Sequence, residues 1–305
     1  MRWLVLVLCA CSAHRVQPRR GIAPVGPRPQ ACAPADRMVP LDTLDPALRL
    51  AILLAARVPD GGMERPGPVR ETASCAELAQ ISVLEIDRPS SLHGIELVPN
   101  LNELTLVDVG DGDLSPIAAL PLRKLSIGSF EQSRDGGPRT SIRDFSPLVS
   151  LTRLEELTII ASGLHDLAPL APLVRLRLLA LPFNDVTDLT PLAGLAQLEE
   201  VRLDWNRIAD ASTLGGLHAI RHLDISQNPL ASVAGWAGLA HAEEIVLGGT
   251  NVEDLAPLVD LPLRTLWACG TPAIEERRHR EANRRTITAL GKRGVNVPTG
   301  SACRH

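Results

Sequence analysis

Three polar side chains near the middle of the chain are the residues best suited to do chemistry together. Asp204, His222 and Asp224 occur in two successive segments of similar sequence. They would share one surface if those segments pair as neighbouring strands. Two carboxylates and an imidazole could hold a divalent metal ion or act as a general acid and base. A solvated polar surface explains the same residues without chemistry, and we favour that interpretation.

The remaining residues capable of catalysis are scattered. The eight histidines share no metal-ligand spacing, and we find no paired-cysteine zinc motif, phosphate-binding loop or serine nucleophile elbow. We therefore expect no enzymatic activity, no metal site and no cofactor.

Composition excludes two further classes of protein. The formal net charge is -4, and aromatic residues make up only 2% of the chain, without any tyrosine. A nucleic-acid-binding protein would need a basic surface and stacking rings. No apolar run reaches the roughly 18 residues that span a bilayer, which excludes a polytopic membrane protein.

A repeat of 22 residues organises the middle of the chain. One unit places apolar residues and an asparagine at Leu176, Leu179, Leu181, Asn184, Val186, Leu189, Leu192, Leu195 and Leu198, and its neighbours repeat these offsets. The alternating start of each unit predicts a strand, and the spacing of three that follows, often after proline, predicts short 3₁₀ turns. Such a unit cannot bury its leucines alone, so about nine units must stack and share one parallel sheet.

One offset in this repeat is polar. Asn184, Asn206 and Asn228 occupy it, with Ser162 and Thr250 as substitutes, and we expect a buried amide there to bond backbone groups of adjacent units.

Residues 80–272 thereby resemble leucine-rich repeats of the 22-residue, internalin-like kind. The resemblance implies an α/β solenoid, a leucine-rich repeat horseshoe whose parallel β-sheet lines the concave side and binds proteins there. It implies no particular ligand.

Both ends of such an array need caps, because terminal coils would expose their leucines. In residues 37–79, Asp45 and Pro46 predict the start of a short helix, which resembles the helical N-terminal cap of internalin-like proteins. In residues 273–305, a charged helix over 275–292 and a last strand at 295–297 predict the C-terminal cap.

The amino end has the features of an export signal. Residues 1–10 form a short basic and apolar signal peptide, and Leu8-Cys9-Ala10-Cys11 resembles a bacterial lipobox, which implies lipidation of Cys11. Residues 11–36 are rich in proline and arginine and predict an extended tether. The alternative is a cytosolic protein with an apolar start.

Four other cysteines flank the repeats: Cys32, Cys75, Cys269 and Cys303. In an exported protein they predict disulfides, and the pairs Cys32–Cys75 and Cys269–Cys303 would each hold one end. The alternative is four thiols.

The residue after the first strand leucine alternates in charge through seven coils: Arg123, Glu155, Arg177, Glu199, Arg221, Glu243 and Arg264. Adjacent strands lie about 4.8 Å apart, so we expect a structural ladder of ion pairs. The other exposed strand positions are acidic on balance. They favour a basic protein segment as partner, or they serve only solubility.

Two aromatic residues mark a candidate partner-binding site. Phe183 and Trp205 occupy the same position in adjacent coils, and tryptophan is a frequent interface anchor. The predicted site comprises Ile160, Leu178, Pro182, Phe183, Arg202, Asp204, Trp205, His222 and Asp224. The alternative is that the rings tuck under the next loop. An insertion at 131–141 would leave the same edge of the sheet, unless it is only a tolerated surface loop.

These features predict a non-enzymatic, monomeric protein–protein interaction scaffold, held at the cell envelope by a lipid anchor and binding no nucleic acid. Two alternatives remain open. One is a polysaccharide-binding or adhesion module, and the other is a cytosolic regulatory subunit resembling phosphatase-binding leucine-rich repeat proteins.

Overall fold

A computed structural model describes residues 35–56, 72–107, 109–110, 112–128, 142–299 and 303. Within these ranges, nine coils stack in sequence order and each adds one strand to a parallel sheet, as predicted. The strands are β3 (Val83–Ile86), β4 (Glu103–Leu106), β5 (Lys124–Ile127), β6 (Glu156–Ile159), β7 (Leu178–Ala180), β8 (Glu200–Arg202), β9 (His222–Asp224), β10 (Glu244–Val246) and β11 (Thr265–Trp267).

The leucines of the repeat form one continuous core between the sheet and the convex side. In the unit that starts at Leu176, the strand residues Leu179 and Leu181 have no solvent exposure, and neither has Leu192 on the convex side. Most of the convex segments are 3₁₀ helices, many with proline in the first turn, as in Thr190–Gly194. The repeats thus combine strands with 3₁₀ turns, and the α-helices of this α/β solenoid lie at its two ends.

Aspartates begin most of these 3₁₀ turns, a role that the sequence analysis did not assign. In each case an Oδ1 atom accepts a hydrogen bond of 2.8 Å from the backbone N–H two residues later; the residues are Asp113, Asp144, Asp166, Asp188, Asp210 and Asp254. The bonds to Thr190 lower the pKa of Asp188, because they favour the charged carboxylate. The repeated aspartate therefore fixes the turn from the strand side to the convex side.

The buried asparagines join neighbouring coils, as predicted. Asn206 Oδ1 accepts a bond of 3.0 Å from the Val186 N–H of the preceding coil, and its Nδ2 donates to Leu181 O of that coil at 2.8 Å. The same Nδ2 donates to Leu203 O of its own coil at 3.0 Å. Thr250, in contrast, bonds only within its own coil, from Oγ1 to Leu247 O at 2.8 Å.

Trp236 replaces the usual leucine at one convex position and is fully buried. Its indole Nε1 donates a bond of 2.9 Å to Ala211 O of the preceding coil. Glycines make room beside it, since a Cβ atom on Gly215 would lie 1.8 Å from Gly235 O. The two coils approach here more closely than any side chain at Gly215 would allow.

The alternating row of charges forms two pairs and one group of three, rather than the expected continuous ladder. Ion pairs join Arg123 to Glu155 at 2.7 Å and Arg177 to Glu199 at 2.7 Å, and Glu243 contacts Arg221 at 2.8 Å and Arg264 at 3.2 Å. Within the described ranges, no ion pair joins Glu155 to Arg177 or Glu199 to Arg221. Arg177 and Arg221 each have a glutamate on both sides and pair with the one in the following coil, and such exposed ion pairs contribute at most about 1 kcal/mol each.

The N-terminal cap consists of two short strands and two helices. Strand β1 (Met38–Pro40) pairs antiparallel with β2 (Thr72–Ser74), and α1 (Pro46–Ala56) and α2 (Cys75–Leu78) follow them in turn. Helix α1 begins as predicted, because Asp45 Oδ1 accepts a bond of 2.8 Å from the Ala47 N–H. Its buried side chains, among them Leu48 and Ile52, close the first coil.

The C-terminal cap is a broken helix and a returning chain. Helices α3 (Pro272–Glu275) and α4 (Arg277–Lys292) are separated by the extended residue Glu276, where we had expected one continuous helix. Asn296 then forms an isolated parallel bridge with Thr265 at the edge of β11, where a last strand over 295–297 was predicted. This bridge covers backbone groups that the last strand would otherwise expose.

Disulfides occur at both ends of the solenoid. Cys269 and Cys303 are bonded with a Cα–Cα distance of 5.4 Å, which confirms the predicted pair. Cys75 is also in a disulfide, and its partner lies outside the described residues. The predictions for Cys32, for lipidation of Cys11 and for the 131–141 insertion likewise fall outside these residues. No helix of the described part of the chain has the length and apolarity to cross a membrane.

Candidate functional site

Two side-chain positions of each strand point away from the core and cover the concave face of the sheet. One carries Val83, Glu103, Lys124, Glu156, Leu178, Glu200, His222, Glu244 and Thr265, and the other carries Glu85, Thr105, Ser126, Thr158, Ala180, Arg202, Asp224, Val246 and Trp267. Carboxylates outnumber basic groups on this face, so its potential favours a positively charged partner.

The basic groups of the concave face already lie against carboxylates. Lys124 Nζ is 2.8 Å from Glu156 Oε2, and an Arg202 nitrogen is 2.5 Å from Glu200 Oε1. His222 Nδ1 is 3.4 Å from Glu244 Oε2. The predicted site residues Arg202 and His222 are thus held by their own strand or the next one.

Phe183 and Trp205 form one stacked pair at the rim of this face. Their ring centroids are 5.4 Å apart, and the ring planes differ by 11°. Trp205 is 51% exposed, whereas Phe183 is half-buried. The pair is on the surface, so the alternative that both rings tuck under a loop does not hold for Trp205.

The backbone at these two rings is left-handed, a feature that the sequence analysis missed. The φ angle is 57° at Phe183 and 56° at Trp205, and Gln227 in the next coil also has 56°. This conformation costs a residue with a side chain about 1 kcal/mol, whereas glycine adopts it freely. Glycines at the same position of other coils, Gly249 and Gly270, were the signal in the sequence.

The apolar neighbours predicted for this site are largely covered. Ile160 is only 7% exposed and Pro182 is buried, while Leu178 is half-buried on strand β7. They offer a partner little surface. The accessible apolar area of the site is therefore mainly Trp205 with part of Phe183 and Leu178.

Asp204 and Asp224 bring negative charge next to this pair. Burial, together with the negative charge of Asp224, raises the pKa of Asp204 to about 6. Asp224 Oδ1 instead accepts bonds from the Ser226 N–H at 2.9 Å and from Ser226 Oγ at 2.6 Å. No side chain of the described residues donates a hydrogen bond to the Asp204 carboxyl.

The structure gives no support to a metal centre at Asp204, His222 and Asp224. In the described part of the chain, no group of three or more histidine, cysteine, aspartate or glutamate side chains is arranged to hold a metal ion. His222 instead lies against Glu244, with Nδ1 3.4 Å from Oε2. The three residues instead form part of a charged surface.

Replacing Asp204 with asparagine should stabilise the fold in a pH-dependent way. An acid whose pKa is raised in the folded state destabilises that state once it ionises, so wild-type stability falls as pH rises from 3.8 to about 6. The substitution removes this penalty. We expect a gain in the free energy of unfolding of about 2–3 kcal/mol near neutral pH and almost none below the ordinary pKa.

Urea denaturation across this pH range measures the effect, with Glu85→Gln as a control. Glu85 occupies the exposed concave face far from Asp204, and its substitution changes the net charge by the same amount. An equal gain for Asp204→Asn at every pH would contradict the proposed ionisation penalty.

Comparison with known proteins identifies the architecture that carries this site. No protein-family model matches the chain, and no curated protein matches it in sequence. Among solved structures, the internalin inlF of Listeria monocytogenes is similar with a TM-score of 0.62 and 22% identity, over 86% of this chain and 78% of that chain. Internalin C2 of the same organism gives a TM-score of 0.62 and 23% identity, over 76% of this chain and 97% of that chain.

A leucine-rich repeat protein of Leptospira interrogans is similar with a TM-score of 0.50 and 18% identity, over 73% of this chain and 62% of that chain. At these identities the likeness concerns the fold alone. The repeat register, the nine-stranded parallel sheet of the described residues and these structural neighbours together show that the chain has an internalin-like leucine-rich repeat fold.

Proposed function

We propose that this protein is a non-enzymatic scaffold that binds a partner protein on the concave face of its sheet and at the rim formed by Phe183 and Trp205. The observation that carries the proposal is the exposed, stacked ring pair on left-handed backbone. A half-exposed indole contributes little to folding, and its backbone conformation costs stability. Large exposed aromatic side chains of this kind are common interface anchors.

The charge of the face narrows the class of partner. The carboxylates of the concave face outnumber its basic groups, and those basic groups lie against carboxylates. A basic protein segment gains both long-range attraction and short-range pairing here, whereas nucleic acid is repelled. The proposed partner is therefore a protein with a basic contact surface.

Export to the cell envelope is the second part of the proposal. Disulfides at Cys269, Cys303 and Cys75 favour an oxidising compartment over the cytosol. We infer that residues 1–10 direct export, that Cys11 is lipidated, and that residues 11–36 tether a monomeric solenoid to a membrane. Residues 37–79, 80–272 and 273–305 would then be its cap, repeats and second cap.

Mass spectrometry of the mature protein tests export directly. We expect an N-terminal peptide that begins at an acylated Cys11, and non-reducing peptide mapping should link Cys32 to Cys75. An unmodified chain that starts at Met1 with Cys32 as a thiol would point to the cytosolic alternative.

Trp205→Ala should weaken partner binding by about 2 kcal/mol or more, which corresponds to about 30-fold in affinity. Partners are captured from envelope extracts, identified by mass spectrometry, purified and measured by calorimetry. Trp205→Gly is the sharper variant, because glycine also relieves the left-handed backbone and should leave thermal stability unchanged or higher.

Arg264→Ala is the matched control. Arg264 lies at the far end of the charge row and is exposed, so its loss should change binding little. Normal binding by Trp205→Gly would show that the ring is not part of the binding site.

A glycan array tests the alternative of an adhesion module, because an exposed tryptophan near carboxylates also suits sugars. Selective glycan binding without a protein partner would favour that alternative.

A further inference from the structure

Asp204 follows strand β8 and Asp224 ends strand β9, and no ion pair joins either carboxylate to a basic side chain of the described residues. On β8, Arg202 pairs with Glu200, and on β9, His222 lies against Glu244. The β7 side offers only Ala180 and Pro182, which carry no charge. The pKa of Asp204 is raised because its burial and the repulsion from Asp224 outweigh the attraction from Arg202.

The indole beside these carboxylates has one open face. Phe183 stacks against one side of Trp205. On the other side, the next coil places Gln227, but a Cβ atom built on Gly249 would lie 2.5 Å from Gln227 Nε2. The Gln227 side chain thus extends over Gly249, away from Trp205, and leaves the ring half exposed.

We infer that this site receives an arginine side chain of the partner protein, with the guanidinium plane on the open face of Trp205 and its N–H groups directed to Asp204 and Asp224. The inference rests on the proposed function and specifies its central contact. A guanidinium is planar, stacks on aromatic faces and donates two parallel bonds to carboxylates. It supplies both interactions at once, whereas an ammonium group lacks the flat surface and the paired donors.

The same contact makes binding depend on pH. An arginine is always charged, so it requires Asp204 in its ionised form and displaces the proton that burial favours. Affinity should therefore rise as pH increases through about 6, and binding should release a proton. The amide of the Asp204→Asn variant has no such proton to release, so the pH dependence should disappear in that variant.

The test uses the full chain and a defined probe, the capped pentapeptide acetyl-Gly-Gly-Arg-Gly-Gly-amide. Versions with citrulline and lysine keep the length but remove the charge or the guanidinium plane. Binding is followed by the NMR shift of the Trp205 indole N–H, which is assigned by its absence in Trp205→Gly. We expect a saturable shift with the arginine peptide and affinity at least about 10-fold weaker with citrulline, because the charge-assisted bonds are lost.

Two variants distinguish the effect of the Asp204 carboxylate on binding from a general effect of net charge. Asp204→Asn should weaken the arginine peptide by at least about 10-fold near neutral pH, whereas Glu85→Gln, with the same charge change on the same face, should not. Between about pH 5 and about pH 7.5, wild-type affinity should rise at least about fivefold, and affinity of Asp204→Asn should stay constant. Equal binding of arginine and citrulline peptides, or equal weakening by both variants, would overturn the inference.

One competing occupant is the arginine-rich segment of the chain itself. If the peptide shifts the Trp205 signal only after Arg15, Arg19, Arg20 and Arg28 are all replaced by glutamine, the site holds this segment, and the assignment to a partner is wrong.

Failure of the inference is distinct from failure of the proposed function. Suppose that a purified partner binds Trp205→Gly more weakly than wild type, and that wild type does not bind the arginine peptide. This result would support the proposed scaffold function and refute only the arginine contact.

Discussion

Leu179→Asp is expected to unfold the solenoid. Leu179 lies on strand β7 with no solvent exposure, in the middle of the continuous core. The substitution leaves a cavity and buries a charge without a partner, which together should cost at least about 4 kcal/mol. That is a large part of the roughly 5–15 kcal/mol that typically holds a domain together.

The loss should spread beyond one coil, because each repeat is stable only through its neighbours. Thermal unfolding followed by circular dichroism should show one cooperative transition at much lower temperature. Val174→Asp is the matched control, since Val174 is a valine exposed to 52% in the same repeat array. A similar melting temperature for Leu179→Asp and wild type would contradict the assigned register.

Asn206→Leu tests the hydrogen bonds that the buried asparagines form between neighbouring coils. The substitution keeps nearly the same volume but removes the partner of the Val186 N–H and of the Leu181 carbonyl, whereas Leu203 O keeps its bond from Asn228 Nδ2. Two buried backbone groups would lose their bonds, at a cost of about 2 kcal/mol or more. Chemical denaturation should show this loss in the free energy of unfolding.

Two further variants define the cause. Asn251→Leu replaces an exposed asparagine and should change stability by less than about 0.5 kcal/mol. Asn206→Thr should be about as unstable as Asn206→Leu, because the hydroxyl of Thr250 bonds a carbonyl of its own coil, and the equivalent carbonyl, Leu203 O, is already bonded by Asn228. An Asn206→Thr variant as stable as wild type would contradict this account.

Much of the fold could be predicted from the sequence because every repeat unit must satisfy the same packing and hydrogen-bonding requirements. The 22-residue spacing placed the core leucines, the strands and the asparagines Asn184, Asn206 and Asn228, since each unit must bury the same positions against its neighbours. The helix start at Asp45 and the Cys269–Cys303 disulfide followed from local capping chemistry and from the position of the two cysteines at one end.

The candidate site could be only partly predicted. The common position of Phe183 and Trp205 was visible in the sequence, but their stacking and left-handed backbone depend on how adjacent coils turn out of the sheet. The burial of Ile160 and Pro182 also depends on how the coils pack and was not predicted from the sequence.

Sequence alone thus determined which residues face the core, because a period of 22 leaves one way to bury the leucines. Tertiary structure alone decided how surface groups choose among neighbours. Arg177 has a glutamate on each side and pairs with Glu199, and the pKa of Asp204 is raised because its burial and the charge of Asp224 outweigh the attraction from Arg202. The physical reason is that core burial repeats identically in every coil, whereas ion pairing and desolvation depend on rotamers and on distances of a few ångströms between coils.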